Sequence, residues 1–168
     1  RLHENRSENI ALLNGDVVSN TRDASGGVSA RVFDKGAWGF CSNPDMGNEA
    51  IETTINAATR NAAFLAKRVG QADASLPRAS AEANSDFTSD EPAVSQESKI
   101  ALLRELDAYI VANCPEVVSR QVALNCLDME KKLHTSEGSY GHNTNTRSII
   151  GIKLTTRNNR DEPIELSE

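Results

Sequence analysis

The sequence predicts an α+β fold in which two long helices pack on a mostly antiparallel sheet built from two hairpins plus three later strands. Three observations carry this. An Asn-Gly pair sits between two apolar runs near residue 14, helical periodicity recurs in two separate stretches, and Ile150, Ile152 and Leu154 alternate with Gly151 and Lys153 as in a half-buried strand. The chain has 168 residues, 38% of them hydrophobic and only 4% aromatic, which is enough for one domain of ordinary size or one with a tail.

The elements follow in order. Asn14 and Gly15 both tolerate the positive φ of a type I′ turn, and Ile10 to Leu13 and Val17-Val18 flank them as the arms of a hairpin. A second hairpin is expected from Gly26 to Phe33 and Ala37 to Cys41, joined by a three-residue loop, Asp34-Lys35-Gly36. Val28, Ala30 and Val32 share one face of its first arm, and Trp38 and Phe40 share a face of the second. Together these arms read as a four-stranded meander. The first helix is expected over about Gly47 to Val69, with Ile51, Ile55, Ala58, Ala62, Leu65 and Val69 on its buried face. Asp45 or Asn48 suits its start, Lys67 and Arg68 suit the negative end of its dipole, and Gly70 suits the C′ position.

Residues 71–95 form an Ala-, Ser-, Asp-, Glu- and Pro-rich linking segment with no period. Ser95 caps a second helix, Gln96 to Asn113, with Ile100, Leu103, Leu106 and Ile110 on one side and Pro115 beyond its end. Three extended stretches follow, Val117 to Leu127, Lys131 to Thr135 and Thr146 to Thr156, and residues 158–168 read as a polar tail. Residues 1–70 and 96–157 are expected to form one domain, and the chain reads as a piece of something longer.

Composition excludes several functions. Eighteen Lys and Arg against 24 Asp and Glu give a net charge of -6, the wrong sign for gripping phosphates, so no direct nucleic-acid ligand is expected. No apolar run approaches the roughly 20 residues that cross a bilayer, and no signal peptide is visible, so the expectation is a soluble protein with no membrane partner. Three widely spaced cysteines fit neither a disulfide framework nor a Cys-x-x-Cys motif, which points to a reducing, cytoplasmic setting.

Few residues suggest chemistry. His134, Glu137 and His142 fall close together around a Gly-containing loop, but their spacing does not place two histidines on adjacent helical turns, and the simpler reading is polar residues around a strand end. His3 is expected to be solvated. Cys41, at a strand end before a helix, is the least implausible nucleophile, yet a small half-buried residue is the plainer reading; Cys114 and Cys126 look structural. Gly138 and Gly141 reproduce a Gly-x-x-Gly spacing that extended flanks reduce to a turn. Trp38 and Phe40 can form a ligand platform but are expected in the core, and Arg31 is expected to be solvated or paired across strands. No glycine loop of the phosphate-binding kinds occurs. The residues give no catalytic, cofactor-binding or metal site.

The segment Gly26-Gly27-Val28-Ser29-Ala30-Arg31-Val32-Phe33-Asp34-Lys35-Gly36-Ala37-Trp38-Gly39-Phe40-Cys41-Ser42 resembles the "G-x-R-V-x-x-x-G-x-x-G-F-A-S" block of the TldD/PmbA family, once called modulators of DNA gyrase. Ser7 to Val18 is similar to the family's first hairpin, and Glu49 to Arg68 to its alanine-rich helix. Ser95-Gln96-Glu97-Ser98-Lys99-Ile100 resembles its "S-x-E-E-K" helix start, and Leu133-His134-Thr135-Ser136-Glu137-Gly138 its "N-S-E/D-G" turn. The order and spacing of these blocks carry the resemblance, and the chain resembles TldD-like members more than PmbA-like ones, although Cys41 stands where the family usually has alanine.

The resemblance implies the N-terminal domain of a two-domain zinc metallopeptidase acting on extended or unfolded peptides. In that family the zinc ligands, a His-Glu-x-x-x-His helix and a cysteine, lie in the C-terminal domain. No such motif occurs in these residues, so His134 and His142 do not match the family ligands. The implied role is non-catalytic: it contributes to a homodimer, or to a heterodimer with a family paralogue, and walls a chamber that admits the peptide. The alternative is a regulatory module that contacts a protein such as DNA gyrase and has no proteolytic role. A free-standing enzyme using Cys41 is a third, weaker alternative.

Overall fold

The computed structural model describes residues 1–69, 76 and 79–168. Nine elements follow one another: β1 (Leu2–Leu13), β2 (Asp16–Asp34), β3 (Ala37–Asn43), α1 (Asn48–Val69), β4 (Glu82–Phe87), α2 (Gln96–Asn113), β5 (Ser119–His134), β6 (Tyr140–Arg157) and β7 (Pro163–Ser167). The strands form one seven-stranded sheet in the order β3-β2-β1-β5-β6-β4, with β7 also paired to β6. The α+β expectation is met, with one exception to its antiparallel character: β4 runs parallel to β6, from Glu82 opposite Tyr140 to Phe87 opposite Asn145.

Both expected turns are present, and both are two-residue loops. Asn14 and Gly15 take φ 51° and 90°, and Lys35 and Gly36 take 46° and 86°, the doubly positive pattern of the type I′ turn that suits twisted strands. The second loop is thus one residue shorter than the sequence suggests, because Asp34 pairs directly with Ala37. The four-stranded meander becomes three strands. The second arm of the first hairpin and the first arm of the second are one continuous strand of 19 residues that passes through Gly26-Gly27 without turning.

The later strands differ in the same sense. The stretches expected at 117–127 and 131–135 are one strand of 16 residues, because Asp128-Met129-Glu130 between them is extended too. β4 lies within the expected linking segment; its Glu-Ala-Asn-Ser-Asp-Phe sequence has no apolar alternation, and five of its six residues are exposed. β7 lies in the expected polar tail, where Ile164 and Leu166 alternate with charged and polar residues.

The chain divides into two units, one of Arg1–Asn5, Ala24–Phe87 and Met129–Asn145, the other of Arg6–Asp23, Thr88–Asp128 and Thr146–Glu168. In the second unit the core is Ile10 and Leu12 of β1, Leu103 and Ile110 of α2, and Val122 and Leu124 of β5. Ile100, Leu106, Ile152 and Leu154 pack against it, so the α2 face read from the sequence is the buried one. Ser95 caps α2 as expected: its Oγ accepts from the Ser98 amide at 3.1 Å. Polar pairs fix the same helix. The Asp107 carboxylate takes both Nε and Nη2 of Arg120 at 2.7 and 3.1 Å, and Arg120 is tied through its backbone to Asn14 in the β1–β2 turn. Lys99 pairs with Glu8, which also accepts from Arg22 at 3.0 Å.

In the first unit α1 packs on β3 through a face that keeps the expected Ala58 and Ala62 but is otherwise rotated from the one expected. Ala50, Thr54, Ala58, Ala62 and Ala66 are buried, while Ile55 and Leu65 are exposed and Ile51 is half-buried. The bulky residues are displaced because the helix comes too close to the sheet for them. A Cβ built on Gly39 falls 2.0 Å from the Ala58 carbonyl oxygen and 2.3 Å from the Ala62 nitrogen, so backbone meets backbone. At the start of α1, Gly47 occupies the cap position, its carbonyl accepting from the Ile51 amide at 3.0 Å, and Asp45 Oδ1 accepts from the Gly47 amide at 3.1 Å. The expected Gly70 cap and the side chain of Val69 lie outside the described residues.

Candidate functional site

Side-chain alternation in β2 and β3 sorts their residues onto two faces. Val28, Ala30 and Val32 lie with Ala37, Gly39 and Cys41 on the face that α1 covers; Arg31 and Phe33 lie with Trp38 and Phe40 on the other. Trp38 and Phe40 are therefore not in the core, and they are 44% and 56% exposed. The expectation of a core position fails because small residues, not aromatic ones, meet the helix.

The type I′ turn sets the hydrogen-bonding pattern of this hairpin. Asp34 and Ala37 flank a two-residue loop and form a hydrogen-bonded pair, so Val32–Gly39 and Ala30–Cys41 are hydrogen-bonded pairs too, while Phe33–Trp38 and Arg31–Phe40 are not. Non-hydrogen-bonded pairs bring side chains closer. The Phe33 and Trp38 rings accordingly stand 5.0 Å apart at 54°, and the Arg31 guanidinium lies 4.6 Å from the Trp38 ring centre, a cation–π contact. Arg31 is thus the cross-strand partner the sequence suggested.

A second consequence concerns the backbone. β3 ends the strand order, and the N–H and C=O groups of Trp38, Phe40 and Ser42 point away from β2 toward the open edge. Two of these groups have side-chain partners: the Cys41 thiol donates to the Ser42 carbonyl at 3.8 Å, and Asn61 Nδ2 donates to the Phe40 carbonyl at 2.9 Å. The flank of α1 that carries Asn61 therefore overhangs the edge. Phe64 and Leu65, three and four residues on, lie along that same flank and are 54% and 40% exposed, with the Arg68 guanidinium 4.3 Å from the Phe64 ring centre. The edge is thus bordered by aromatic side chains on one face of the sheet and by an apolar helix flank on the other.

The candidate metal residues do not converge. His142 Nε2 bonds Glu130 Oε1 at 2.9 Å, the His134 ring packs on Tyr140 at 4.7 Å, and Glu137 is exposed in the β5–β6 turn. Among the described residues no group of three or more His, Cys, Asp or Glu is placed to hold a metal ion, so these residues do not fit a zinc site. The Lys132 ammonium at 2.8 Å, then His142, holds the Glu130 carboxyl below its ordinary range, and Glu130 in turn raises Lys132. His3 is not free in solvent but bonds Asn5 Oδ1 at 2.8 Å.

The cysteines are free and half-buried. Cys41 lies on the α1 side of β3 with its Sγ 3.8 Å from the Ser42 carbonyl oxygen; Cys114 closes α2 through its amide; and Cys126 accepts from Ser148 Oγ at 3.2 Å. Gly138 takes φ 86° in the turn, and Gly141 lies in β6. Asn61, Phe64 and Leu65 went unnoticed in the sequence as site residues. The signal that finds them is the five-membered stripe of small residues from Ala50 to Ala66, which fixes the other face of α1 as the open one.

The comparisons agree with this architecture. The family model described as PmbA/TldA metallopeptidase domain 1 matches residues 1–62, from β1 through the Gly39 contact to Ala62. No curated protein matches the sequence significantly. A candidate modulator of DNA gyrase from Bacteroides thetaiotaomicron superimposes with TM-score 0.72 at 13% identity, covering 99% of this chain and 38% of that one. A second, from Thermotoga maritima, gives 0.68 at 17% identity, covering 99% and 37%. TldE from Thermococcus kodakarensis gives 0.61 at 12% identity, covering 99% and 38%. The chain thus spans less than two-fifths of the length of these structures. The first 62 residues match the model of PmbA/TldA metallopeptidase domain 1, and nearly the whole chain shares the fold of these structures, which is consistent with a TldD/PmbA-like N-terminal domain.

Proposed function

We propose that this chain is the non-catalytic N-terminal domain of a TldD/PmbA-type zinc metallopeptidase, and that it holds extended or unfolded peptides at the open edge of β3. In this reading zinc and the cleavage chemistry belong to the part of the parent protein that the chain does not span. The domain contributes one wall of the peptide chamber and part of a dimer, formed with a second copy or a paralogue. The free, half-buried cysteines support a reducing, cytoplasmic setting.

The observation that carries the proposal is the outward N–H and C=O groups of Trp38, Phe40 and Ser42 on an edge strand bordered by exposed aromatic rings. Backbone hydrogen bonds at such an edge bind any extended chain with little sequence demand, as a peptidase for unfolded substrates requires. Trp38 is the only tryptophan, so its fluorescence reports on the site. Titration with a permanently unfolded, Trp-free polypeptide should shift Trp38 emission to shorter wavelength and saturate, while a folded control protein should leave it unchanged. No response to the unfolded chain, or an equal response to the folded one, contradicts the proposal.

A further inference from the structure

The same edge has a second property, which rests on the peptide-binding reading above. A strand added beside β3 would lie 4.7–4.9 Å from it, whereas an α-helix with its side chains is about 10 Å across. Because α1 sits on β3 at Gly39 and reaches over the edge through Asn61, its flank also covers the added strand. Alternate side chains of that strand meet different surfaces. One set faces Trp38 and Phe40; the other faces Phe64 and Leu65. Cations border both faces, Arg31 over Trp38 and Arg68 over Phe64, although the chain as a whole carries a charge of -6.

We infer that the β3 edge selects extended segments with apolar side chains on both faces, flanked by acidic residues, and that the Asn61 amide holds the Phe40 carbonyl until the segment's backbone takes its place. A continuous apolar run is the signature of a strand that is buried on both faces in a folded protein and exposed only when that protein unfolds. Alternating apolar and polar sequences, typical of half-solvated strands, satisfy only one face.

The test uses the intact chain, Trp38 emission, and two Trp-free synthetic peptides with the same Glu-rich ends. One has a seven-residue Val/Leu centre and the other alternates Val with Ser. The apolar peptide should bind at least about tenfold more tightly, the equivalent of ~1.4 kcal/mol of further apolar burial. Leu65→Glu, at an exposed position outside the core, should remove that preference by weakening the apolar peptide far more than the alternating one, although repulsion of the shared Glu-rich ends lowers both affinities. Asn61→Ala should tighten both. Equal affinities for the two peptides in the wild type, or a preference that survives Leu65→Glu, overturn the two-faced selection while leaving edge pairing intact. A silent Trp38 with both peptides overturns edge pairing itself.

Discussion

Gly39 of β3 and Ala62 of α1 stand backbone to backbone: a Cβ on the glycine falls 2.3 Å from the alanine nitrogen, and 2.9 Å from its Cα. No side-chain movement relieves such a contact, so the helix itself must shift. Gly39→Ala should cost about 3 kcal/mol, the upper part of the range for overpacked interiors. Gly151→Ala in β6, where the added Cβ meets only the Glu168 carbonyl oxygen at 3.8 Å, should stay within about 0.5 kcal/mol. Urea denaturation of the two variants beside the parent checks both values.

Thr54 carries the other anomaly of this interface. Its Oγ1 is buried with no hydrogen-bond partner among the described residues, unlike Thr59, which donates to the Ile55 carbonyl at 2.9 Å. Replacing a buried, unsatisfied hydroxyl by a methyl group of the same shape removes a desolvation cost. Thr54→Val should raise stability by about 1 kcal/mol, seen as a higher denaturation midpoint with an unchanged m-value.

The Asp107–Arg120 pair joins α2 to β5, with both side chains largely buried. Removing one partner strands a charge away from water, so Asp107→Asn should cost roughly 3 kcal/mol, at the low end for buried pairs because Arg120 keeps some exposure. The double variant Asp107→Leu with Arg120→Met should recover most of that loss. A double variant as unstable as the single one would show that the packing of the aliphatic stems, not the charge, is what matters here.

Glu8 gives the second unit an acid-sensitive joint. The Lys99 hydrogen bond, then that of Arg22, outweighs burial and holds the Glu8 carboxyl below its ordinary value of 4.5. A carboxyl depressed in the folded state stabilises fully above its unfolded pKa, and that contribution fades as pH falls through the folded value. Stability should therefore decline below about pH 4.5, and Glu8→Gln should flatten this limb of the stability–pH curve. An acid limb of unchanged steepness in the variant would assign the decline to other carboxylates.

Much of this fold was legible because local chemistry and tertiary structure agree. Asn14-Gly15 predicts its turn, Ser95 its cap, and Ile100 to Ile110 the buried face of α2, since each signal lies within a few residues of its effect. The misplaced face of α1 has a single cause. The sequence periodicity puts Ile51, Ile55, Leu65 and Val69 beside Ala58 and Ala62 on the buried face of α1. Gly39, distant in sequence, instead lets the helix approach until only small residues fit, so Ala58 and Ala62 are buried while Ile55 and Leu65 are exposed. That error hid the candidate site, because the displaced Leu65 and the opposite-facing Trp38 and Phe40 are what border the edge. β4 was illegible for another reason: it is held by backbone pairing to β6, and its exposed polar side chains carry no period.

The most direct test of peptide capture at β3 is amide hydrogen exchange measured by NMR, with and without an unfolded Trp-free peptide. The Trp38, Phe40 and Ser42 amides, which point to the open edge, should exchange more slowly when the peptide is bound, while Gly39 and Cys41, already paired with β2, should not change. Unaltered exchange at all three outward amides under saturating peptide, or new protection confined to another strand, would contradict the account.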